Sequence, residues 1–267
     1  MSLHYRTVWI SDVHLGSRGC QAREVLRFLN CIRCDTLYLA GDIIDLWRLR
    51  SRWYWPPEHA EVIQRILHMA RNGCEVFYIP GNHDEAARQY LNLNFAGVRI
   101  VPHAIHETAR GRRFLVTHGD QYDLVVKHSR LLAVLGSAAY EWLIRLNRVY
   151  NAIRRWRGKP YWSLAQYIKL RVKSACKFVS NFEEALVNEA RARGLCGVVC
   201  GHIHRPEVKL DSILYFNCGD WIENCTAVVE HHDGTLDVIE ALPAIAAMVK
   251  SQRQALIESK ETVLAEP

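Results

Sequence analysis

Early in the chain one design recurs three times. RTVWISD (6–12), TLYLAGD (36–42) and EVFYIPGN (75–82) are short apolar runs rich in β-branched and aromatic residues, and each stops on Gly or on polar side chains. Such runs read as buried strands. Between them, 20–32 and 58–72 space apolar residues three and four apart (Val25, Leu29, Ile32; Val62, Ile66, Met69), the period of an amphipathic helix. A β-α-β-α-β order predicts an α/β fold with a mostly parallel sheet and helices on its faces. With 267 residues and 49% hydrophobic content, a sizeable core is available. Further strands are expected at 98–101, 113–118, 197–201, 213–217, 225–231 and 235–240. The last three, with turns such as His232-Asp233-Gly234, are expected to form an antiparallel meander.

From 124 to 193 the strand pattern gives way to helical spacing, interrupted at Arg157-Gly158-Lys159-Pro160. Since this stretch lies between two strands, it predicts a helical cap inserted at 124–193 into a core of 1–123 and 194–242, followed by a C-terminal helix and tail over 243–267. Charge singles out the same stretch: residues 124–180 hold twelve Lys or Arg against one acid, Glu141, while the whole chain is only +6. The longest apolar window, LLAVLGSAAYEWLI (131–144), is too short to span a bilayer, which takes about 20 apolar residues, and contains Glu141. The nine cysteines are odd in number and the start, MSLHYRTVWISD, lacks the apolar stretch of a signal peptide, so a reduced, cytoplasmic protein is expected. Cys31 and Cys34 make an isolated C-x-x-C without a second pair at zinc spacing and read as packing residues.

The ends of the strands carry the chemistry. RTVWISD runs into Asp12 and His14; TLYLAGD delivers Asp42, with Asp45 three residues on; EVFYIPGN delivers Asn82, His83 and Asp84; RFLVTHGD delivers His118; GVVCGHIH delivers His202 and His204. Any one of these alone is an ordinary cap or turn residue, and the glycines at 41, 81, 119 and 201 are ordinary turn punctuation. Together they differ, because the carboxyl ends of neighbouring strands in an open α/β sheet line one crevice. Two carboxylates (Asp12, Asp42), one amide (Asn82) and four imidazoles (His14, His118, His202, His204) suit borderline-to-hard divalent cations such as Mn²⁺, Fe or Zn²⁺, and seven donors suit two ions sharing a carboxylate.

This ordered set, D-x-H, G-D-x-x-D, G-N-H-D, H-G-D and G-H-x-H across residues 12–204, resembles the calcineurin-like metallophosphoesterase family. The resemblance implies a layered sandwich of two mixed β-sheets flanked by helices. It also implies two metal ions, most readily Mn²⁺: Asp12, His14 and His204 would hold one, Asn82, His118 and His202 the other, and Asp42 would bridge them. His83 would touch the phosphate, Asp45 would orient its ring, and Asp84 would be a structural hydrogen-bond acceptor. Two cations a few ångström apart polarise phosphoryl oxygens and lower the pKa of a water between them, while His83 would stabilise developing charge or protonate the leaving oxygen.

Over roughly residues 5–240 the chain also resembles the bacterial UDP-2,3-diacylglucosamine hydrolase group, which cleaves a nucleotide-diphosphate lipid in lipid A synthesis. The size, GHIHRP (201–206), CGDWIEN (218–224) and a helical insertion after the His118 block carry that likeness. It implies a lipid-linked nucleotide diphosphate as substrate and peripheral contact with the anionic inner face of the membrane. Leu132, Leu135, Trp142, Tyr150, Trp156, Tyr161, Trp162, Tyr167 and Phe178 are candidate acyl-chain contacts, and Asn82, His83, Asp120, Arg205, Trp142, Arg154 and Arg155 candidate substrate contacts. The lipid A enzymes of the group carry Arg where this chain has His83, and the block after His118 differs too, reading GDQYDLVVKH (119–128). These departures leave room for another lipid-linked or nucleotide pyrophosphate. The alternatives are a phosphodiesterase or nuclease, with the basic cap tracking a nucleic-acid backbone, or a protein phosphatase. Oligomeric state is not legible.

Overall fold

The computed structural model describes residues 2–122 and 182–250, and in it the repeated strands build two sheets. The first has seven strands in the order β12 (Leu236–Glu240), β11 (Thr226–Glu230), β1 (Leu3–Ile10), β2 (Ile32–Ala40), β3 (Glu75–Ile79), β5 (Val98–Ile100) and β4 (Asn94–Phe95). The second has five: β6 (Ala104–Glu107), β7 (Arg113–Val116), β8 (Gly197–Cys200), β10 (Leu214–Asn217) and β9 (Glu207–Leu210). β1, β2, β3 and β5 run parallel, as do β7, β8 and β10, with antiparallel strands at the margins. The predicted mixed two-sheet α/β architecture is therefore the one observed. The chain divides into two units, Met1–Gly119 with Leu186–Pro267, and Asp120–Ala185; both sheets belong to the first.

Alternation along each strand splits its side chains between two cores. On one face of the first sheet, Val8 and Ile10, Leu37 and Leu39, and Ala227 and Val229 pack with Val25, Phe28 and Leu29 of α1 (Ala22–Cys31) and Val62 and Ile66 of α3 (Pro57–Arg71). Their neighbours Trp9, Tyr38 and Val228 point the other way and pack with Phe114, Val116, Val199 and Phe216 of the second sheet. Trp9, Tyr38 and Phe77 stand in register on β1, β2 and β3 and stack, with centroids 5.6 Å and 4.9 Å apart. A slip of one residue would turn every one of these rings to the wrong face, so the aromatic row fixes where each strand ends.

One expectation is corrected. β11 and β12 form an antiparallel hairpin, but β10 is no part of it: it pairs with β8 and β9 in the second sheet. A continuous apolar run cannot report which sheet it joins, because the period is the same in both. The short α2 (Leu46–Ser51) and strands β4, β6 and β9 carry too little apolar periodicity to be seen in advance. Among the described residues no helix is long and apolar enough to cross a membrane. The basic segment 124–180, with its candidate acyl-chain contacts, and the tail beyond 250 lie outside the described residues.

Candidate metal centre

The chain turns sharply at the strand ends. Asp12, His14, Asp42, His202 and His204 all take left-handed backbone conformations, with φ of 52°, 54°, 53°, 74° and 55°. An L-residue held there costs about 1–2 kcal/mol and persists only where the surroundings fix it. Here the loops after β1 and β2 are laced together: Asp12 N–H donates to Gly41 O at 3.0 Å, His14 N–H to Asp42 O at 2.9 Å and Asp45 N–H to Leu15 O at 2.8 Å. The glycines at 81 and 201 serve close approach. A Cβ on Gly81 would strike Asp42 Oδ1, and one on Gly201 would strike Asp12 Oδ2.

Each central carboxylate is pinned by one oxygen and presents the other. Asp12 Oδ2 accepts from the His202 N–H at 2.9 Å, and Asp42 Oδ1 accepts from the His83 N–H at 2.8 Å. Asp12 Oδ1 then lies 3.3 Å from His204 Nε2 and 3.9 Å from His14 Nε2; Asp42 Oδ2 lies 3.9 Å from His14 Nε2 and 3.4 Å from His118 Nε2. His118 Nε2 also approaches Asn82 Oδ1 at 3.3 Å, and the His202 ring stands 5.1 Å from that of His118. Three groups of donors draw within 4.8 Å of one another: Asp12, His14 and His204; Asp12, Asp42 and His118; His14, Asp45 and His83. His202 belongs to none of these three. Asp42 stands between His14 on one side and His118 on the other, where a bridging carboxylate would be.

The donor set can be tested for its fit to cations. Asp12 Oδ1 and His14 Nε2 are buried and find no hydrogen-bond partner among the described residues. Leaving such atoms unpaired costs about 1–3 kcal/mol each, more for a charge. The two lie 3.9 Å apart, and both are lone-pair donors for which a divalent cation is the natural complement. The residues fit.

Comparison with known proteins agrees with this geometry: residues 5–206 match the calcineurin-like phosphoesterase family. The chain belongs to that family. Membership places this calcineurin-like phosphoesterase among metal-dependent phosphoester hydrolases. It is similar to UDP-2,3-diacylglucosamine hydrolases of Porphyromonas gingivalis (29% identity over 126 residues, 45% of this chain and 47% of the relative) and Azotobacter vinelandii (26% over 209 residues, 76% and 83%). A hydrolase of the same name from Xanthomonas campestris pv. campestris is 26% identical over 245 residues, 85% of this chain and 96% of the relative. The match to the first of these spans about half of that relative's length.

A second layer orients the phosphoesterase's donors. His118 Nδ1 lies 2.9 Å from Ala40 O, which makes Nδ1 the protonated nitrogen and leaves the Nε2 lone pair facing Asp42. Asp45 caps α2, accepting from Arg48 N–H at 2.9 Å, and also lies 3.0 Å from His83 Nδ1 and 3.5 Å from His14 Nδ1. Burial alone would raise the carboxyl pKa values of Asp42 and Asp45; adjacent His118 outweighs it at Asp42, and His14 and His83 outweigh it at Asp45, so both are held well below the usual range. Burial works against a charged His83, but the bond to Asp45 and the charge of Asp42 raise its pKa overall. Asp84 accepts from Gly81 N–H at 2.6 Å, Ile43 N–H at 2.8 Å and the Tyr78 hydroxyl at 2.5 Å, the structural role expected of it.

Two contributors were not foreseen. Asp220 lies 3.5 Å from His204 Nδ1 and accepts backbone N–H bonds from Ile222, Glu223 and Asn224. Its signal was available: Cys218-Gly219-Asp220 follows β10 as a sixth strand end of the same type. Trp47, on the first turn of α2, lays its ring 4.2 Å from that of His83; one Trp in a short helix gives no such warning. Of the candidate substrate contacts, Arg205 is exposed and 3.7 Å from Glu207, and Asp120 opens a 3-10 turn in the second unit. Trp142, Arg154 and Arg155 lie outside the described residues.

Proposed function

We propose that this phosphoesterase binds two divalent cations, manganese by preference with iron or zinc as alternatives, and hydrolyses the pyrophosphate of UDP-2,3-diacylglucosamine or a related lipid-linked nucleotide diphosphate. Asp12, His14 and His204 hold one ion and Asn82, His118 and His202 the other, with Asp42 between them. The observation that carries the metal reading is the pair of orphaned buried atoms, Asp12 Oδ1 and His14 Nε2, 3.9 Å apart. Bound cations would supply the positive charge that polarises a phosphoryl oxygen and acidifies an attacking water. With Nδ1 engaged by Asp45, Nε2 of His83 is the atom left to carry a proton toward the leaving oxygen. Trp47 fixes the plane of that ring and keeps water from one face of it.

The substrate reading is supported by the names of the relatives and by the cationic segment 124–180. It is supported further by Arg48 and Arg50 on the helix that Asp45 caps and Arg52 and Trp53 just after it, all exposed, which offer positive charge and an aromatic edge to an anionic headgroup surface. Asp120, Arg205, Trp142, Arg154 and Arg155 complete the proposed contacts, and the protein would work at the inner face of the membrane. The test is a panel of bis-p-nitrophenyl phosphate, p-nitrophenyl phosphate, UDP-2,3-diacylglucosamine, cyclic nucleotides and single-stranded DNA, each with Mn²⁺. Cleavage of the lipid-linked pyrophosphate is expected. Turnover confined to the monoester, or to DNA with steep salt dependence, would replace this substrate class while leaving the metal assignment standing.

A further inference from the structure

At the end of the first sheet opposite the metal centre, where β1 and β2 begin and the chain enters β3, there is a cavity of about 940 Å³. Its lining includes Cys34 and Cys74 with Arg33, Arg65 and Asp35 beside them. Cys34 Sγ and Cys74 Sγ lie 3.7 Å apart, one thiol hydrogen-bonded to the other. Neither is sealed in the core; both are half-buried and reachable from the cavity. Arg65, whose guanidinium is anchored on Leu29 O by bonds of 3.1 Å and 2.8 Å, and the Asp35 carboxylate act on both sulfurs with opposite signs. The sequence pairs Cys34 with Cys31 in a C-x-x-C, but the fold pairs it with a residue forty positions away.

We propose that Cys34 and Cys74 form a redox-active dithiol that hydroperoxides oxidise to a disulfide joining β2 to the start of β3. The hydrogen bond between them can be donated from either side, so either sulfur can start the reaction. With Cys74 as the attacking sulfur, its thiolate attacks the terminal peroxide oxygen, the O–O bond breaks, and hydroxide, or alkoxide from an organic hydroperoxide, leaves and is protonated. The sulfenic acid formed is then attacked by the Cys34 sulfur; the S–S bond forms, the S–O bond breaks, and the oxygen departs with the Cys34 proton as water. Each sulfur gives up one electron, and the two reduce one peroxide. The bridge closes residues 35–73 into a loop that contains Asp42, Asp45 and Trp47, so it restrains in the unfolded chain the segment that supplies the central carboxylate of the metal centre.

The experiment needs no enzymatic readout and does not depend on the proposed substrate. The reduced full-length chain is treated with hydrogen peroxide, alkylated, and digested without reductant for mass spectrometry. A linked peptide joining Cys34 to Cys74 is expected, with the intact chain lighter by two hydrogens. It should be reversed by dithiothreitol, retained in Cys31→Ser and absent in Cys74→Ser. A melting temperature several degrees higher in the oxidised chain is expected alongside. A Cys31–Cys34 bridge, over-oxidation of Cys74 without a bridge, or no preferential reaction at these two thiols would overturn the proposal.

Discussion

Replacing Gly81 with alanine adds one methyl group and no charge, yet it should disable the centre. The new Cβ would strike Asp42 Oδ1 and stand 2.7 Å from both Cδ2 and Nε2 of His118. Carbon atoms pack at about 3.5–4.0 Å, so the carboxylate and the ring must retreat by about 1 Å. Neither is free to do so: Asp42 Oδ1 is held by the His83 N–H at 2.8 Å, and His118 Nδ1 by Ala40 O at 2.9 Å. A displacement of that size in a positioned group costs about 10²-fold in rate. The assay is hydrolysis of bis-p-nitrophenyl phosphate after loading with Mn²⁺, alongside metal content by mass spectrometry and a thermal melt of the metal-free chain. Gly19→Ala is the control, since its Cβ would meet nothing nearer than Ile222 Cγ2 at 3.4 Å. A folded Gly81→Ala protein with turnover and metal content within about threefold of the parent would refute the close-approach argument and the placement of Asp42 with it.

Asp220→Ala should weaken Mn²⁺ activation by about 10–100-fold, because His204 loses the carboxylate that orients it, and a metal titration of activity reads this directly. For His83→Ala, kcat should fall by about 10²–10⁴-fold while the bound metal is unchanged; equal loss of both would make His83 a structural residue. Away from the centre, Glu230 is buried and accepts from Arg6, Thr7, His106 and the Ala109 N–H, at 2.7 Å to 2.9 Å. Burial alone would raise its pKa, but these donors hold it down at about 2 against an ordinary 4.5. Its folded value being the lower, Glu230 stabilises the protein fully above pH 4.5, and about 3 kcal/mol is lost as pH falls from 4.5 toward 2. Denaturant midpoints across that range should slope less steeply in Glu230→Gln, and an unchanged slope would refute the assignment.

The strand ends were legible because burial and chemistry write different residue types next to each other. WISD, YLAGD and YIPGN each move within a few residues from apolar side chains to ligands, and the unbroken apolar runs around Trp9, Tyr38 and Phe77 announce buried strands. From these the sequence alone determined an α/β fold and the order of the donors along the chain, and the resemblance those donors carry implied the reaction class. It placed all five strand ends along a single crevice, whereas the structure draws Asp12, Asp42 and Asn82 from one sheet and His118, His202 and His204 from the other. Which sheet a strand joins depends on pairing partners distant in sequence, and local periodicity is blind to them. For the same reason Trp47 against His83 and Cys74 beside Cys34 emerged only in three dimensions, and Asp220, though marked as a strand end, found its partner His204 only there: each pair is a contact between segments that no spacing along the chain connects.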